Sequence, residues 1–442
     1  MKNNEAKVPS GRLSRLSKMG GLASRLAGNV LFEGAKQLSK GQSPKLQQLV
    51  MTPSNIGHVA EKLSQLRGAA MKVGQMLSMD AGDLVAPELA EVLAKLRSDA
   101  KVMPHKQLTT LLVKQWGRDW LAPFAQFELR PFAAASIGQV HVAYLDTGEK
   151  LAVKIQYPGV RDSIDSDIDN VATLLKVSRL IPANVKLDTL LAEAKAQLHN
   201  EADYHFEAEQ IALYQQHLGD DLTFIVPKVY QQLSNDSILC MQFVAGTPIE
   251  SVAQASQEVR NLVASRLMEL CFRELFEFKL LQSDPNFANF QYQADSQKIV
   301  LLDFGATRTI SDTLSQGYMQ LMLGAIAQDK QQMAMAAQQI GFFQDAIDPQ
   351  QKQLIIDIFY LACEPLRAQG DYHFGNSDLA KRITKAGKAM STQQNEWHTP
   401  PTDAIFIHRK LAGMYLLAAK LNAKINVNQL FLKVSSQSKH NC

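Results

Sequence analysis

The sequence predicts an α+β protein in which a small strand-containing lobe is followed by a larger helical one. Three observations lead there. Residues 131–157 hold two β-prone runs, "VHVAYL" and "LAVKIQY", joined by "DTGEK", which reads as a hairpin with an Asp and Gly turn. From Pro248 onward apolar residues recur at helical spacing, with Val259, Val263, Leu267, Leu270 and Leu275 along one segment. Within that second half, "KIVLLDFG" is the sole clear strand-like run.

The elements follow in order. Residues 1–50 form a basic arm with nine Lys or Arg against two Glu, while the remainder of the chain is net acidic. Interspersed Leu, Met and Val suit such an arm to an anionic membrane face, and a solvated tail is the plainer alternative. Residues 51–130 read as a helical extension, with Val59, Leu63, Leu66, Val73 and Leu77 on one face. Residues 131–246 are the strand-containing lobe: the hairpin, a helical stretch over about 186–216, then "FIVPKVY" and "SILCMQFV" as strands. Residues 247–442 are the helical lobe, where Met322 and Met333 and Met335 read as core filler.

Bulk properties narrow the function classes. At 442 residues, 46% hydrophobic and 20% charged, the chain is an ordinary globular one of two or three domains or one two-lobed unit. Its four cysteines, Cys240, Cys271, Cys363 and Cys442, are scattered without a CxxC pair, the usage of a reducing, intracellular compartment. No run of eighteen apolar residues occurs, and the compact apolar stretch and cleavage site of a secretory signal are lacking. A cytoplasmic protein, peripheral on the inner face of the cytoplasmic membrane, is the expectation. Nucleic acid is not an expected partner, since no interleaved aromatic and basic stripes or zinc-finger spacings occur.

The chemistry is carried by "QSDPNFANF" and, thirteen residues beyond it, "DFG". A phosphoryl-handling site needs a cation for the phosphates, oxygen ligands for Mg²⁺, and a base or orienting group for the attacking atom. Lys154 ends the strand run "LAVK", where a fixed backbone aims an ammonium at phosphates. Asp303 follows "IVLL" as a Mg²⁺ carboxylate, and Asn289 offers a neutral oxygen to the same hard cation. Asp284, five residues before Asn289, is the candidate base. The order of hairpin lysine, helical glutamates, Asp-x₄-Asn and a strand ending in Asp-Phe-Gly is that of protein kinases. Several kinase features are replaced, however. Gln282 and Ser283 precede Asp284 where His and Arg would stand, "PFAAASIGQVH" occupies the place of a glycine-rich loop, and no Ala-Pro-Glu motif follows Asp303.

The combination of "KVGQ" (Lys72 to Gln75), "AAAS" (Ala133, Ala134, Ala135 and Ser136), "EAD" (Glu201 to Asp203), "SDPNFAN" and "LDFG" resembles the UbiB/ADCK atypical kinase family, linked to ubiquinone biosynthesis. The wording of the Asp284 loop is similar to its mitochondrial-type coenzyme Q branch, and the likeness runs by motif from about residue 55 to 310. It implies an atypical protein-kinase-like fold whose N-terminal KxGQ helix packs over the place where a kinase admits a peptide. It also implies Mg²⁺-dependent ATP binding and hydrolysis rather than routine protein phosphorylation. By motif match, Lys154 contacts ATP beside the alanine loop, Asp284 accepts the proton, and Asn289 and Asp303 hold metal-bound phosphates. Met241, Gln242, Phe243 and Val244 fall at the interlobe hinge that binds adenine. Glu207 is the expected ion-pair partner of Lys154, and Glu201 with Asp203 forms the ExD motif reaching Lys72, which with Gln75 completes the family's catalytic set. The partners implied are a ubiquinone-precursor lipid, an anionic membrane surface and ubiquinone-biosynthesis enzymes.

Plainer readings stand beside these. Apart from the family, Lys72 is a solvated residue of an amphipathic helix, and "SDPNFANF" is an Asp-Pro turn with capping asparagines. His199 and His205 lie near Glu201, Asp203 and Glu207 but lack metal-type spacing, whereas Asp203 and Glu207 would share a helical face. Two other functions compete with the ATPase: a nucleotide-gated lipid-binding scaffold without productive turnover, and a small-molecule kinase of the aminoglycoside or choline type. The KxGQ helix and alanine loop tell against the last.

Overall fold

A computed structural model describes residues 66–80, 102–178, 187–343, 347–392 and 401–438. The basic arm, and with it Val59 and Leu63, lies outside the described residues. The chain forms two compact units, one of the described residues up to Glu209 together with Lys228–Phe243, the other of Gln210–Pro227 and the described residues from Val244 onward.

The first unit begins with α1 (Arg67–Asp80) and α2 (His105–Trp116). The strands β1 (Phe124–Phe127), β2 (Ala133–Ala134), β3 (Gly138–Leu145) and β4 (Lys150–Gln156) follow, then α3 (Val160–Ser178), α4 (Leu187–Glu201) and α5 (Tyr204–Leu218), which belongs to this unit only up to Glu209. After β5 (Phe224–Ile225), which pairs in the second unit, β6 (Ile238–Gln242) completes an antiparallel sheet of order β1-β3-β4-β6, with β2 also on β3. The expected hairpin is β3 and β4, in register from Gly138 opposite Gln156 to Tyr144 opposite Lys150.

Alternation along β4 decides where its lysine goes. Leu151, Val153 and Ile155 are fully buried in a core with Leu108 and Leu112 of α2, Trp120, Phe124, Ile238 and Cys240. Successive strand residues point to opposite faces, so Lys154 is turned away from that core. A second core joins Val73 and Met76 of α1 to Ile168 and Val171 of α3 and to Leu190, Ala194 and Leu198 of α4.

The helical stretch expected over about 186–216 is two helices. Asp203 breaks it: its Oδ1 accepts a hydrogen bond from the Phe206 N–H at 3.1 Å, a cap that competes with helix continuation. Asp203 therefore stands before α5 and does not share a helical face with Glu207.

The second unit contains β7 (Thr247–Pro248), α6 (Gln257–Arg273), β8 (Leu280–Gln282), β9 (Phe290–Gln293), β10 (Lys298–Leu301) and β11 (Thr307–Thr309). Next come α7 (Asp312–Ile326), α8 (Lys330–Ile340), α9 (Pro349–Ala362), α10 (Glu364–Arg367), β12 (Tyr372–His373), α11 (Leu379–Thr392), α12 (Thr402–Lys420), β13 (Lys424–Ile425) and α13 (Val427–Ser438). The strand at "KIVLLDFG" is thus not the sole one. It is β10, in a four-stranded sheet of order β5-β10-β9-β7, while β8 pairs with β11 and β12 with β13. These strands of two to four residues are too short to show a period and exist through their partners. The strand expected at "FIVPKVY" shrinks to β5, because Pro227 has no ladder donor.

Met322 and Met333 are core residues, whereas Met335 is 61% exposed, a correction to its reading as core filler. Cys240, Cys271 and Cys363 are buried free thiols, and burial pushes Cys271 and Cys363 up to about 12. No helix among the described residues is long and apolar enough to cross a membrane.

Candidate functional site

In the first unit two partly buried ion pairs gather the motif residues. Lys154 Nζ lies 2.5 Å from Glu207 Oε1, and the glutamate, in the first turn of α5, is 2% exposed. Lys72 Nζ lies 2.6 Å from Glu201 Oε1 at the end of α4, while Glu201 Oε2 accepts from Ser136 Oγ at 2.9 Å. One carboxylate therefore ties the "KVGQ" helix to the alanine segment. Close backbone approach reinforces that tie: a Cβ on Gly68 of α1 would stand 2.9 Å from the Ser136 carbonyl oxygen. Ala133 and Ala134 are exposed on β2 opposite Val140 and Gln139, and the Ala135 N–H donates to Gly138 O.

Other expected residues fall elsewhere. Asp203 caps α5 and lies 3.8 Å from Arg161 in a half-exposed pair, and no hydrogen bond or ion pair between it and Lys72 is seen among the described residues. Gln75 lies on α1, but its side chain is outside what is described. His199 and His205 pair separately, with Asp165 and Asp236. In the 241–244 segment, Met241 is buried in β6. The N–H groups of Gln242 and Phe243 donate to Lys228 O and Lys150 O, and the Phe243 ring packs edge-on against Phe132. Val244 belongs to the second unit.

In the second unit two short strand pairs place the acidic and amide groups. The β9–β10 hairpin sets Phe290 opposite Leu301, and the Leu302 N–H donates to Asn289 O at 3.0 Å. Asn289 immediately precedes β9 and Asp303 follows Leu302 at the end of β10, so both lie at the same end of this ladder. The β8–β11 pair sets Gln282 opposite Thr307, and both the N–H and Oγ of Ser283 donate to Ala306 O. This fixes the Asp284 turn to the segment after Asp303.

Local hydrogen bonds orient the side chains. Asp284 Oδ1 accepts from the Asn286 N–H at 3.3 Å, and Asn286 caps the turn from Phe287 to Asn289. Asn289 Nδ2 is 3.4 Å from Asp284 O, which leaves Oδ1 as the atom a cation would take. Asp303 Oδ1 accepts from the Gly305 N–H at 3.1 Å, and its main-chain oxygen accepts from Gln282 Nε2 at 2.8 Å. Phe304 is buried against Tyr214, with ring centroids 4.7 Å apart.

The donor set fits a magnesium ion. No group of three or more His, Cys, Asp or Glu able to hold a metal occurs among the described residues. Mg²⁺ in nucleotide sites takes one or two protein oxygens and completes its shell with phosphates and water. A carboxylate and an amide on adjacent strand ends are of that kind.

Sequence reasoning missed the polar layer beneath these residues. Gln282 bonds to Asp303 O, and beyond it Lys410 of α12 lies 2.8 Å from Glu274, with both side chains 1% exposed. Tyr214 donates to Glu274 at 2.8 Å. Burial raises the Glu274 carboxyl above its ordinary range and the Tyr214 hydroxyl well above its own. Gln282 carried a signal, its place two residues before Asp284. Lys410 carried none, being 128 residues from Gln282.

Known proteins resemble this chain. A family described as the ABC1 atypical kinase-like domain matches residues 95–337. The chain is 36% identical over 427 residues to atypical kinase COQ8, mitochondrial, of Saccharomyces cerevisiae, covering 97% of this chain and 85% of that protein. It is 37% identical over 432 residues to atypical kinase COQ8B, mitochondrial, of Rattus norvegicus, covering 97% and 81%. Among solved structures, Rv3197 from Mycobacterium tuberculosis, determined as a complex with erythromycin, superposes with a TM-score of 0.59 at 22% identity, covering 93% of this chain and 98% of that one. That likeness carries the fold, a kinase-like one with a small antiparallel sheet and a helical lobe. Family match, extended identity and fold agree with the motif order, and the chain belongs to the UbiB/ADCK family of atypical kinases.

Proposed function

We propose that the protein is a kinase-like ATPase that binds Mg²⁺–ATP and supports ubiquinone (coenzyme Q) biosynthesis at a membrane surface. The observation that carries this is the β9–β10 pairing, whose continuation through the Leu302 N–H to Asn289 O brings the main chain of the Asp-Phe-Gly strand to that of Asn289. Bound magnesium would neutralise charge on the phosphates. Asn289 and Asp303 would hold it through oxygen, and Lys154 is the proposed phosphate contact. The pairing of Lys154 with Glu207 fixes the direction of its ammonium.

Asp284 takes the proton from the attacking hydroxyl or water, with its carboxylate held by the Asn286 N–H. The alanine segment, tied through Ser136 to Glu201 and Lys72, stands in place of a glycine loop. Residues 241–244 are the proposed adenine contact, with Met241 held in the sheet and the N–H groups of Gln242 and Phe243 already engaged. The relatives named as COQ8 kinases support the ubiquinone role. A ubiquinone-precursor lipid and biosynthesis enzymes are the proposed partners, with peripheral attachment through the basic arm on the cytoplasmic face.

Thermal-shift titration with Mg²⁺–ATP tests the site. Asp303→Asn replaces a carboxylate ligand by a neutral amide and should weaken binding sharply, and Lys154→Ala should weaken it by removing the phosphate contact. An unchanged nucleotide-induced shift in either variant would refute the assignment of that residue.

A further inference from the structure

Lys410 is a buried charge that the proposed chemistry does not use. Its ammonium has three N–H donors and no acceptor, and three oxygens surround it. Gln282 O lies at 3.0 Å, Gln282 Oε1 at 3.1 Å and Glu274 Oε2 at 2.8 Å. An ammonium accepts no hydrogen bond, so the amide atom facing it must be oxygen. The amide of Gln282 is thereby turned so that Nε2 meets the Asp303 carbonyl oxygen. Rotated by half a turn, it would set oxygen against oxygen there and N–H against N–H at Lys410.

A second observation on the same helix points the same way. Gly413, one turn after Lys410, packs so closely on the residue next to Asp284 that a Cβ there would stand 2.3 Å from Pro285 Cβ. Positions three apart share a helix face. One face of α12 therefore grips the loop on both sides of Asp284, at Gln282 by charge and at Pro285 by contact.

We propose that Lys410 is a positioning residue for the nucleotide site: acting through Gln282, with Gly413 beside it, it sets the Asp284 loop against the main chain of Asp303. Glu274 balances the charge, and Tyr214 holds Glu274 while also donating to Leu280 O in the strand that leads into the loop. This rests on the reading of Asp284, Asn289 and Asp303 as the Mg²⁺–ATP site.

The test separates positioning from the stability of a buried ion pair. Lys410→Met alone strands the Glu274 carboxylate, so the deciding protein is Lys410→Met with Glu274→Gln, which removes both charges and keeps an acceptor for Tyr214. Replacing both partners of a buried pair is often neutral for stability where removing one is not. The double variant should recover most of the melting temperature lost in Lys410→Met, yet show kcat for ATP hydrolysis reduced about tenfold to a hundredfold, the range expected for a misplaced catalytic group. Its Mg²⁺ half-saturation for nucleotide binding should rise several-fold. Gly413→Ala leaves the ion pair intact and should move both readouts in the same direction, which keeps the test decisive if the double variant does not fold. Wild-type kcat and Mg²⁺ dependence in either folded variant would overturn the proposal. Asp303→Asn distinguishes the two failures. Activity kept in Asp303→Asn refutes the site itself, whereas activity lost there but kept in the double variant refutes the positioning role alone.

Discussion

Lys72 and Glu201, 129 residues apart in sequence, form an ion pair of 2.6 Å in which the lysine is almost wholly removed from solvent. Removing one partner of a buried pair leaves the other charge uncompensated, at about 3–5 kcal/mol when both are fully buried. Glu201 is partly exposed and keeps its bond from Ser136, so Lys72→Met should cost less than that, about 2 kcal/mol. Glu201→Gln leaves a buried ammonium without that carboxylate and should cost more, about 3 kcal/mol. Urea denaturation measures both. Losses under about 0.5 kcal/mol in each, the size of an ordinary surface change, would contradict the pair's role in joining α1 to α4.

Two histidines, His141 buried and His408 partly buried, make stability depend on pH. Burial lowers His141 from 6.5 to about 4, and its neutral form is fixed by Nδ1 donating to Glu128 O while Nε2 faces Gln139 Nε2. His408, against Tyr318 and Phe342, is likewise lowered to about 4. Between pH 6.5 and 4 the unfolded chain binds these protons and the folded one does not, so stability falls as pH falls through that window. Each should cost roughly 2 kcal/mol by pH 5 relative to pH 7. Denaturation of His141→Gln at the two values should show a shallower loss by about that amount, and an unchanged slope would contradict it.

The basic arm should bring the protein to anionic lipid. Residues 11–40 combine Arg12, Arg15, Lys18, Arg25, Lys36 and Lys40 with Leu13, Leu16, Met19, Leu22, Leu26, Val30 and Leu31. Basic residues near such a surface contribute about 1 kcal/mol each, and salt should release a largely electrostatic attachment. Co-sedimentation with anionic vesicles should fall when the chain is shortened to begin at Thr52. Equal binding by both forms would refute the arm's part.

What the sequence disclosed followed the range of the interactions. The β3–β4 hairpin and the pairing of Lys154 with Glu207 were legible, the first from alternation around a turn and the second from the motif order. The link from Glu201 to Lys72 was legible through the family, whereas Asp203 was misplaced because its capping role competes with helix continuation. Short strands such as β8 and β11 were hidden, since three residues carry no period and their stability comes from the partner. Lys410 and Gly413 were invisible for the same reason: their meaning lies in Gln282 and Pro285, which only the folded chain brings to them.

The most direct test is phosphate release from ATP by the purified full chain, with Mg²⁺, in the presence and absence of anionic liposomes carrying a ubiquinone-precursor mimic. Turnover should rise with liposomes and mimic and be abolished by Asp303→Asn. Tight Mg²⁺–ATP binding without phosphate release would contradict an ATPase and point to a nucleotide-gated scaffold, and turnover unchanged in Asp303→Asn would contradict the site.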